Sequence, residues 1–411
     1  MKILLICSAY PPDIKGGGEI STQLLAEGLA RAGHDVTVLS LGSVPSTRIE
    51  RGINVERAES PNIMWNFKES AGTVRTLIWH ALENWNYAAQ KLVYLRIKRH
   101  NPDIVITSTT ENFGGNAWLA AAREKVPCVH ILRSYNTMCP RASMFRNSEN
   151  CTSPCVKCNI ISVAKKWASS SVTGVIGLSN HVLTAHLRNG YFPNAKHAIL
   201  PNFIPTTTKE MLQQNPKTLG EPITLGYIGR LSEEKGLGLL LDAWKRFSSI
   251  SRLKLLIAGD GDPDYIEYLK DEFAGYDVEF VGWISQDSFF PKIHYLIVPS
   301  IWHEPLGRVV LEAYSYGVPV IGSNRGGIPD MIVEGASGFV FDPDDSDSLY
   351  RVLTQIEVGA GGYARLSKGA FDRLQHYSEA EMIPKYENFL SEVVHLFRQG
   401  HVTSASQKKS K

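Results

Sequence analysis

No stretch of this 411-residue chain stays apolar for the roughly 18–20 positions that a membrane-crossing helix needs, so a spanning segment is excluded. The opening apolar run in MKILLICSAYPP is too short for a signal peptide and is broken too soon by prolines. It reads as a buried first strand. A cytoplasmic location follows as the expectation, with peripheral contact on the inner face of a membrane left open. An excess of one charge is also missing. The 43 Lys+Arg stand against 41 Asp+Glu, which speaks against a nucleic-acid partner. Cysteines number only six, and in a reducing compartment disulfides are not expected among them. The glycine run after the first strand, KGGGE at 15–19, is not G-x-G-x-x-G and lacks that fingerprint's acidic partner, which disfavours a nicotinamide cofactor.

The charge that is present is unevenly placed. Residues 1–205 hold 22 basic and 13 acidic side chains, and 206–411 hold 21 and 28, so the halves carry +9 and −7. A basic first half suits an anionic lipid surface or a phosphate-bearing acceptor; dispersed, solvated lysines and arginines are the plainer reading.

Length predicts two domains. Alternating strands, glycine turns and helices predict parallel α/β sheets. In the first half, strands are expected at 2–7, 35–41, 103–107, 128–132 and 174–177, with a loop over 11–18 and a helix over 19–33. Val74, Leu77, Ile78, Ala81, Trp85, Ala88, Leu92 and Leu95 recur at helical spacing, predicting one long core helix over about 72–99. A linker is expected at 215–222 (NPKTLGEP). Six further strands follow, in ITLGYIGR, LKLLIAGDG, VEFVGWI, YLIVPS, VPVIGS and GFVFDP, making a second doubly wound unit. A last helix is expected over about 380–397, then a polar, basic, disordered tail from 399.

Chemistry concentrates in SIWHEPLGRVVLEAYSYGVPVIGSNRGGIPD, residues 300–330. Glu304 and Glu312 stand eight apart around a Pro–Leu–Gly turn. Pro305 suits a first helical position. Gly307 then bears no side chain to keep a phosphate from the first N–H groups of a helix. Eight residues is slightly over two turns, so both carboxylates would share one face. An anion cradle between two carboxylates fits a ligand with a central diphosphate and hydroxyls at either end, such as a nucleotide-sugar. A glutamate near a helix start is also common for dipole reasons alone.

The stretch resembles the E-x7-E region of retaining glycosyltransferases, family 4 in particular, down to the trailing GVPVIGSNRGGIPD and Gly338 in SGFVFDP. GYIGRLSEEKG at 226–236 resembles the same family's G-R-x-x-x-x-K-G segment. Gly259–Asp260–Gly261 and Val281–Gly282–Trp283–Ile284 resemble its later turns. The resemblance implies a GT-B fold, α/β, with two Rossmann-like doubly wound domains facing a central cleft. An N-terminal acceptor domain would cover 1–205 and a donor domain 222–375, with a helix over 376–398 crossing back. It further implies that Arg230 and Lys235 hold the donor diphosphate, with Gly229 keeping their turn open. Glu304 would take sugar hydroxyls, Leu306 and Gly307 would line the phosphate, and Glu312 would take the ribose. Gly17 and Gly18 would approach the donor from the first domain.

The first half departs from the pattern. Relatives often carry a His–Asp pair before Tyr–x–x–x–Cys–Pro–Arg, and here Arg133 and Ser134 occupy those positions, with His130 three residues earlier as a core histidine. Arg133 could bind a phosphate or an acidic sugar. Cys139, Cys151, Cys155 and Cys158, spaced C-x11-C-x3-C-x2-C, are compatible with a structural zinc or with free thiols. No cofactor is implied for catalysis, because GT-B enzymes balance the leaving diphosphate with protein cations. The activity implied is retaining transfer from a UDP- or GDP-sugar to a glycan or lipid-linked acceptor, in cell-surface polysaccharide assembly. A nucleotide-sugar epimerase, a glycoside phosphorylase and a non-catalytic sensor are the other readings of such a scaffold.

Overall fold

The computed structural model describes residues 1–14, 16–63, 73–205, 222–246, 252–359 and 362–400. Residues 215–221 of the expected linker and the tail from 401 lie outside the described residues. The chain forms two compact units. One comprises Met1–Met144, Cys151–Phe203 and the segment from Glu379 onward; the other comprises Phe145–Asn150 and Ile204–Ser378.

The first unit is built on an eight-stranded sheet. Its strands are β1 (Lys2–Ile6), β2 (Asp35–Leu41), β3 (Ser46–Glu50), β4 (Ile53–Ala58), β5 (Ile104–Thr107), β6 (Cys128–Leu132), β7 (Gly174–Gly177) and β8 (Lys196–Ile199), in the order β8–β7–β6–β5–β1–β2–β4–β3. Every recorded pairing is parallel except β3 with β4. Ile3 to Ile6 are at most 2 % exposed, the mark of a strand covered on both faces. The antiparallel edge was not read from sequence. Its turn, Arg51–Gly52, takes positive φ at both residues (50° and 82°), as a two-residue hairpin requires.

Among the described residues the helices of this unit include α1 (Gly17–Arg31), α2 (Thr73–Asn84), α3 (Tyr87–His100), α4 (Asn116–Arg123), α5 (Val156–Ala168) and α6 (Asn180–Arg188). Helix α1 begins two residues earlier than the glycine run suggested. The single long helix expected over 72–99 is two helices. The first ends at Asn84, and Asn86 caps the second, its side chain accepting from the Ala89 N–H at 2.9 Å. The expected core stripe is also partly wrong, because Ile78, Trp85 and Leu95 are 49 %, 67 % and 46 % exposed while Trp79 and Val93 are buried.

A C-terminal helix, Glu379–Arg398, belongs to this unit. It seats on α1 where Gly28 has no side chain: a Cβ there would lie 2.4 Å from Ile383 Cδ1. Arg31–Glu379 and His34–Glu387 contacts, at 2.7 and 2.8 Å, fix its rotation.

The second unit has six parallel strands: β9 (Ile223–Ile228), β10 (Leu253–Ala258), β11 (Val278–Gly282), β12 (Tyr295–Val298), β13 (Val320–Ser323) and β14 (Gly338–Phe341). All six were legible in the sequence. Their order is β11–β10–β9–β12–β13–β14, a doubly wound sheet with its switch point between β9 and β12. Leu225, Leu237, Leu241, Leu255, Ile297 and Phe341 share its core with the surrounding helices. The two-stranded hairpin Phe145–Arg146 and Glu149–Asn150 completes the unit.

Candidate functional site

In open α/β sheets, ligands bind beyond the carboxyl ends of strands where the order reverses. The loops after β9 and β12 leave that switch point together, and they carry Lys235 and Glu304. Glu233–Lys235 form one short 3₁₀ turn, ended by Gly236 at φ +76°. A side chain at Gly236 is impossible for two reasons: the backbone is left-handed, and a Cβ would lie 1.8 Å from the Pro299 carbonyl oxygen. The two loops are then tied by backbone bonds from Ile301 and Trp302 N–H to the Glu234 carbonyl, at 3.0 and 3.3 Å.

This brings the Lys235 ammonium 2.6 Å from Glu304 Oε1, with the two side chains 20 % and 12 % exposed. The Ser300 hydroxyl donates to the same oxygen at 2.8 Å. Lys235 lies 5.3 Å from the centroid of the Trp302 ring. Burial pushes the Glu304 carboxyl up, but the Lys235 charge and these hydrogen bonds outweigh it, leaving the group below the usual carboxylate range. The result is an ionised carboxylate and an ammonium, both partly sheltered, at the mouth of the sheet.

Glu304 is held from several sides. The Gly327 N–H donates to its carbonyl at 2.8 Å. Asn150, on the hairpin, donates from Nδ2 to the Ile301 carbonyl (2.7 Å) and accepts from the His303 N–H through Oδ1 (3.0 Å). The hairpin also contributes Ser148, whose hydroxyl donates to Glu233. Sequence reasoning missed Asn150. It is about 150 residues away in the chain, and nothing local marks a hairpin of two-residue strands.

The expected geometry of the two glutamates does not hold. The helix carrying Glu312 begins at Val309 and ends at Tyr314, so Pro305 is in the preceding loop and not at its first position. The reason is Gly307, whose φ of +90° is incompatible with a continuous right-handed helix from Pro305. Two turns of helix therefore do not align Glu304 with Glu312. Each has its own cation: Glu312 Oε1 lies 3.0 Å from Arg308 Nε, with side chains 15 % and 18 % exposed. Burial lowers the Arg308 pKa, opposed by Glu312, and an arginine so shifted still keeps its charge. Arg308 was overlooked because an arginine beside a helix start reads as surface. Leu306 is buried, whereas Arg230 stands outward, 67 % exposed and paired with Glu234 at 2.9 Å.

In the first unit the chain order reverses between β1 and β5. Gly17 and Gly18 are the first residues of α1, not part of a loop. A Cβ on Gly18 would meet Thr109 Cγ2 at an ordinary 3.4 Å and Arg133 Cδ at 3.8 Å. Arg133 follows β6 and reaches back, donating from Nε to the Ser108 hydroxyl at 2.6 Å and from a terminal nitrogen to Asn202 Oδ1. Ser134 turns to its own backbone, accepting from the Asn136 N–H at 3.3 Å. A small pocket here is lined by Ser108, Thr109, Glu111, Arg133, Ser134 and Thr137, among others. Burial raises the pKa of the Glu111 carboxyl, which the Ser8 hydroxyl contacts at 3.0 Å. His130 is a core residue, bonded to Thr107 at 2.9 Å, and burial holds it neutral with a pKa of about 3.

The four cysteines are thiols. Cys139, Cys155 and Cys158 neighbour one another, and burial, followed by the influence of the other two, raises Cys158 to about 12. Among the described residues no group of three or more His, Cys, Asp or Glu side chains is arranged to hold a metal ion. No helix among the described residues is long and apolar enough to cross a membrane.

Two family models match consecutive stretches of the chain: Glycosyltransferase Family 4 over residues 15–208 and Glycosyl transferases group 1 over 208–373. A 42.6 kDa protein of the cps region of Klebsiella pneumoniae is 27 % identical, over 80 % of this chain and 87 % of its own. The lipopolysaccharide core biosynthesis glycosyltransferase LpsE of Rhizobium meliloti is 24 % identical, over 79 % and 86 %. Among solved structures, Anabaena HepE in complex with UDP is similar at a TM-score of 0.70 and 18 % identity, covering 95 % of this chain and all of HepE. With its two Rossmann-like units in the GT-B fold and both family models matched, the chain belongs to the group 1, family 4 glycosyltransferases.

Proposed function

We propose that this glycosyltransferase moves a sugar from a UDP- or GDP-sugar to a glycan or lipid-linked acceptor with retention of the donor's anomeric configuration, in the assembly of cell-surface polysaccharide. The observation that carries the reading is the Lys235–Glu304 pair at the switch point of the second sheet. A half-buried carboxylate that already shares a lysine can accept from sugar hydroxyls while the same lysine turns its charge to a diphosphate. Charge grows on that diphosphate as the glycosidic bond breaks. Lys235 would neutralise it, and Arg230, exposed on the same loop, would move in to help. Glu312, backed by Arg308, would accept from the ribose hydroxyls. The carboxylates are thus grips on the donor, and the leaving phosphate helps deprotonate the acceptor hydroxyl in a front-face displacement. They do not form a glycosidase acid/base pair.

The relatives support the substrate class by what they are: LpsE acts in lipopolysaccharide core biosynthesis, and HepE has been solved with UDP. Site residues in the first unit, Gly17, Gly18 and Arg133, would meet the donor phosphate or the acceptor. A cytoplasmic enzyme working at the inner face of a membrane is the setting this reading implies. Thermal-shift screening with UDP, GDP, ADP and their sugars tests it directly. Stabilisation by a UDP- or GDP-sugar is expected, and stabilisation by none would defeat the proposal. The configuration of the product's new bond, read by NMR, tests retention.

A further inference from the structure

Two helices of the first unit leave a continuous apolar surface uncovered. On α5, Val156, Ile160, Val163 and Trp167 are 77 %, 69 %, 57 % and 57 % exposed. At 3.6 residues per turn these positions fall in one narrow stripe along the helix. Ile78 and Leu82 of α2 are 49 % and 39 % exposed, and Trp85 follows them at 67 %. The Trp85 and Trp167 rings lie 6.3 Å apart, so the two sets form one patch.

The patch is built, not incidental. Beneath it Glu83 and Lys165 form an ion pair at 3.1 Å with side chains only 1 % and 4 % exposed. Lys165 also donates to Asn136 Oδ1 at 3.0 Å, and the Asn84 amide donates to the Ile161 carbonyl. These contacts clamp α2 to α5 in the rotation that turns their apolar stripes outward. The same ion pair takes the only acid of α2 out of the surface.

Charge then selects the occupant. Exposed Lys157 and Lys166 fall on opposite sides of the α5 stripe, and residues 150–208 contain no Asp or Glu. An apolar stripe with tryptophans, whose charged flanks on α5 are lysines, matches a lipid–water interface, where rings sit at headgroup depth and lysine stems lie along the apolar surface with ammonium groups outward. Two copies meeting through this face would bring like charges together. We propose that the α2–α5 face docks the first unit on a bilayer containing anionic lipid. The inference does not depend on the donor chemistry, because vesicle binding and nucleotide-sugar stabilisation are measured separately.

The test is co-sedimentation of the full chain with phosphatidylcholine vesicles, with and without phosphatidylglycerol. Binding to the anionic vesicles is expected, weakened by salt, and the double variant Ile160→Ser/Trp167→Ser should lose at least about tenfold in affinity. Lys157→Glu/Lys166→Glu should weaken binding to anionic vesicles by a similar factor. Ile49→Ser, equally exposed on β3 of the same unit, should change nothing. All positions changed are on the surface, and unaltered melting temperatures would show that the variants fold. Absence of binding to anionic vesicles would overturn the proposal. So would a concentration-dependent dimer that the Ile160→Ser/Trp167→Ser variant abolishes, since the face would then be covered by a second copy.

Discussion

The two units place their chemistry by the same topological rule and fill the place differently. At the switch point of the second unit, charged side chains stand in pairs of opposite sign within one loop or between two: Lys235 with Glu304, Arg308 with Glu312, Arg230 with Glu234. At that of the first unit, hydroxyls, the Asn202 amide, the Glu111 carboxyl and the neutral His130 lie around Arg133. A preformed ion-paired site can release charge to a ligand without large rearrangement. A polar, largely neutral site selects by shape and hydrogen bonding. The division is what the proposed function asks for, with a donor held by the second unit and an acceptor selected by the first.

The sharpest way to break the comparison is to remove the cation that would serve the leaving group. Lys235→Ala should lower turnover by about 10²–10³-fold, the usual cost of one donor aimed at developing charge. Glu312→Ala should instead weaken donor binding, raising KM more than it lowers kcat. Steady-state kinetics with a stabilising UDP- or GDP-sugar separates the two. Equal turnover in Lys235→Ala and the parent would remove the site assignment.

Glycines offer the next contrast. Gly236→Ala forces a left-handed φ and a 1.8 Å clash on backbone that cannot yield, and should cost about 3 kcal/mol or more with loss of activity. Gly18→Ala adds a methyl that meets only ordinary contacts in α1, so stability should hold or rise slightly. If Gly18 lies against a ligand, activity should fall while the melting temperature does not. A parallel fall of both would make it a structural glycine.

What the sequence showed and concealed follows the same line. Strands buried on both faces were legible, because continuous apolar runs bounded by glycine turns have few other meanings; all six strands of the second unit were found in this way. Lys235 and Glu304 were legible because the residues around them resemble a family pattern. Their mutual contact was not, since it depends on Gly236 folding one loop onto another. The helix over 72–99 failed for a physical reason. Apolar periodicity reports a face, but not whether that face meets the core or solvent, and Asn86 breaks the run as a cap. Asn150 was invisible because its bonds go to backbone groups far along the chain.

That residue sharpens the comparison at smaller scale. Asn150→Ala removes a donor to the Ile301 carbonyl and an acceptor for the His303 N–H, loosening the loop that aims Glu304. Activity should fall several-fold, with a stability loss of about 1–2 kcal/mol. Asn150→Asp keeps the acceptor and loses the donor, so it should recover part of the activity. Full activity in Asn150→Ala would mean that the hairpin only decorates the second unit.

Acid separates the units by window. His130 and His186 in the first are kept neutral by burial, with pKa values of about 3 and about 4. Their unfolded forms take protons near pH 6.5, so the stability that depends on their neutrality is complete above that pH and is lost as pH falls toward 4 and below. Glu304 in the second unit is held below 4.5 by its lysine and hydrogen bonds, so its contribution persists until pH drops beneath 4.5. Melting temperatures of the parent, His186→Gln and Glu304→Gln from pH 7 to 3.5 resolve the two. His186→Gln should flatten the decline between pH 6.5 and 5, where Glu304→Gln should leave the slope unchanged. Below 4.5 the order should reverse, with Glu304→Gln losing less than the parent. Identical slopes in all three proteins would mean that neither buried histidine nor the lysine-bound carboxylate governs acid stability, and the electrostatic contrast between the two switch points would lose its thermodynamic basis.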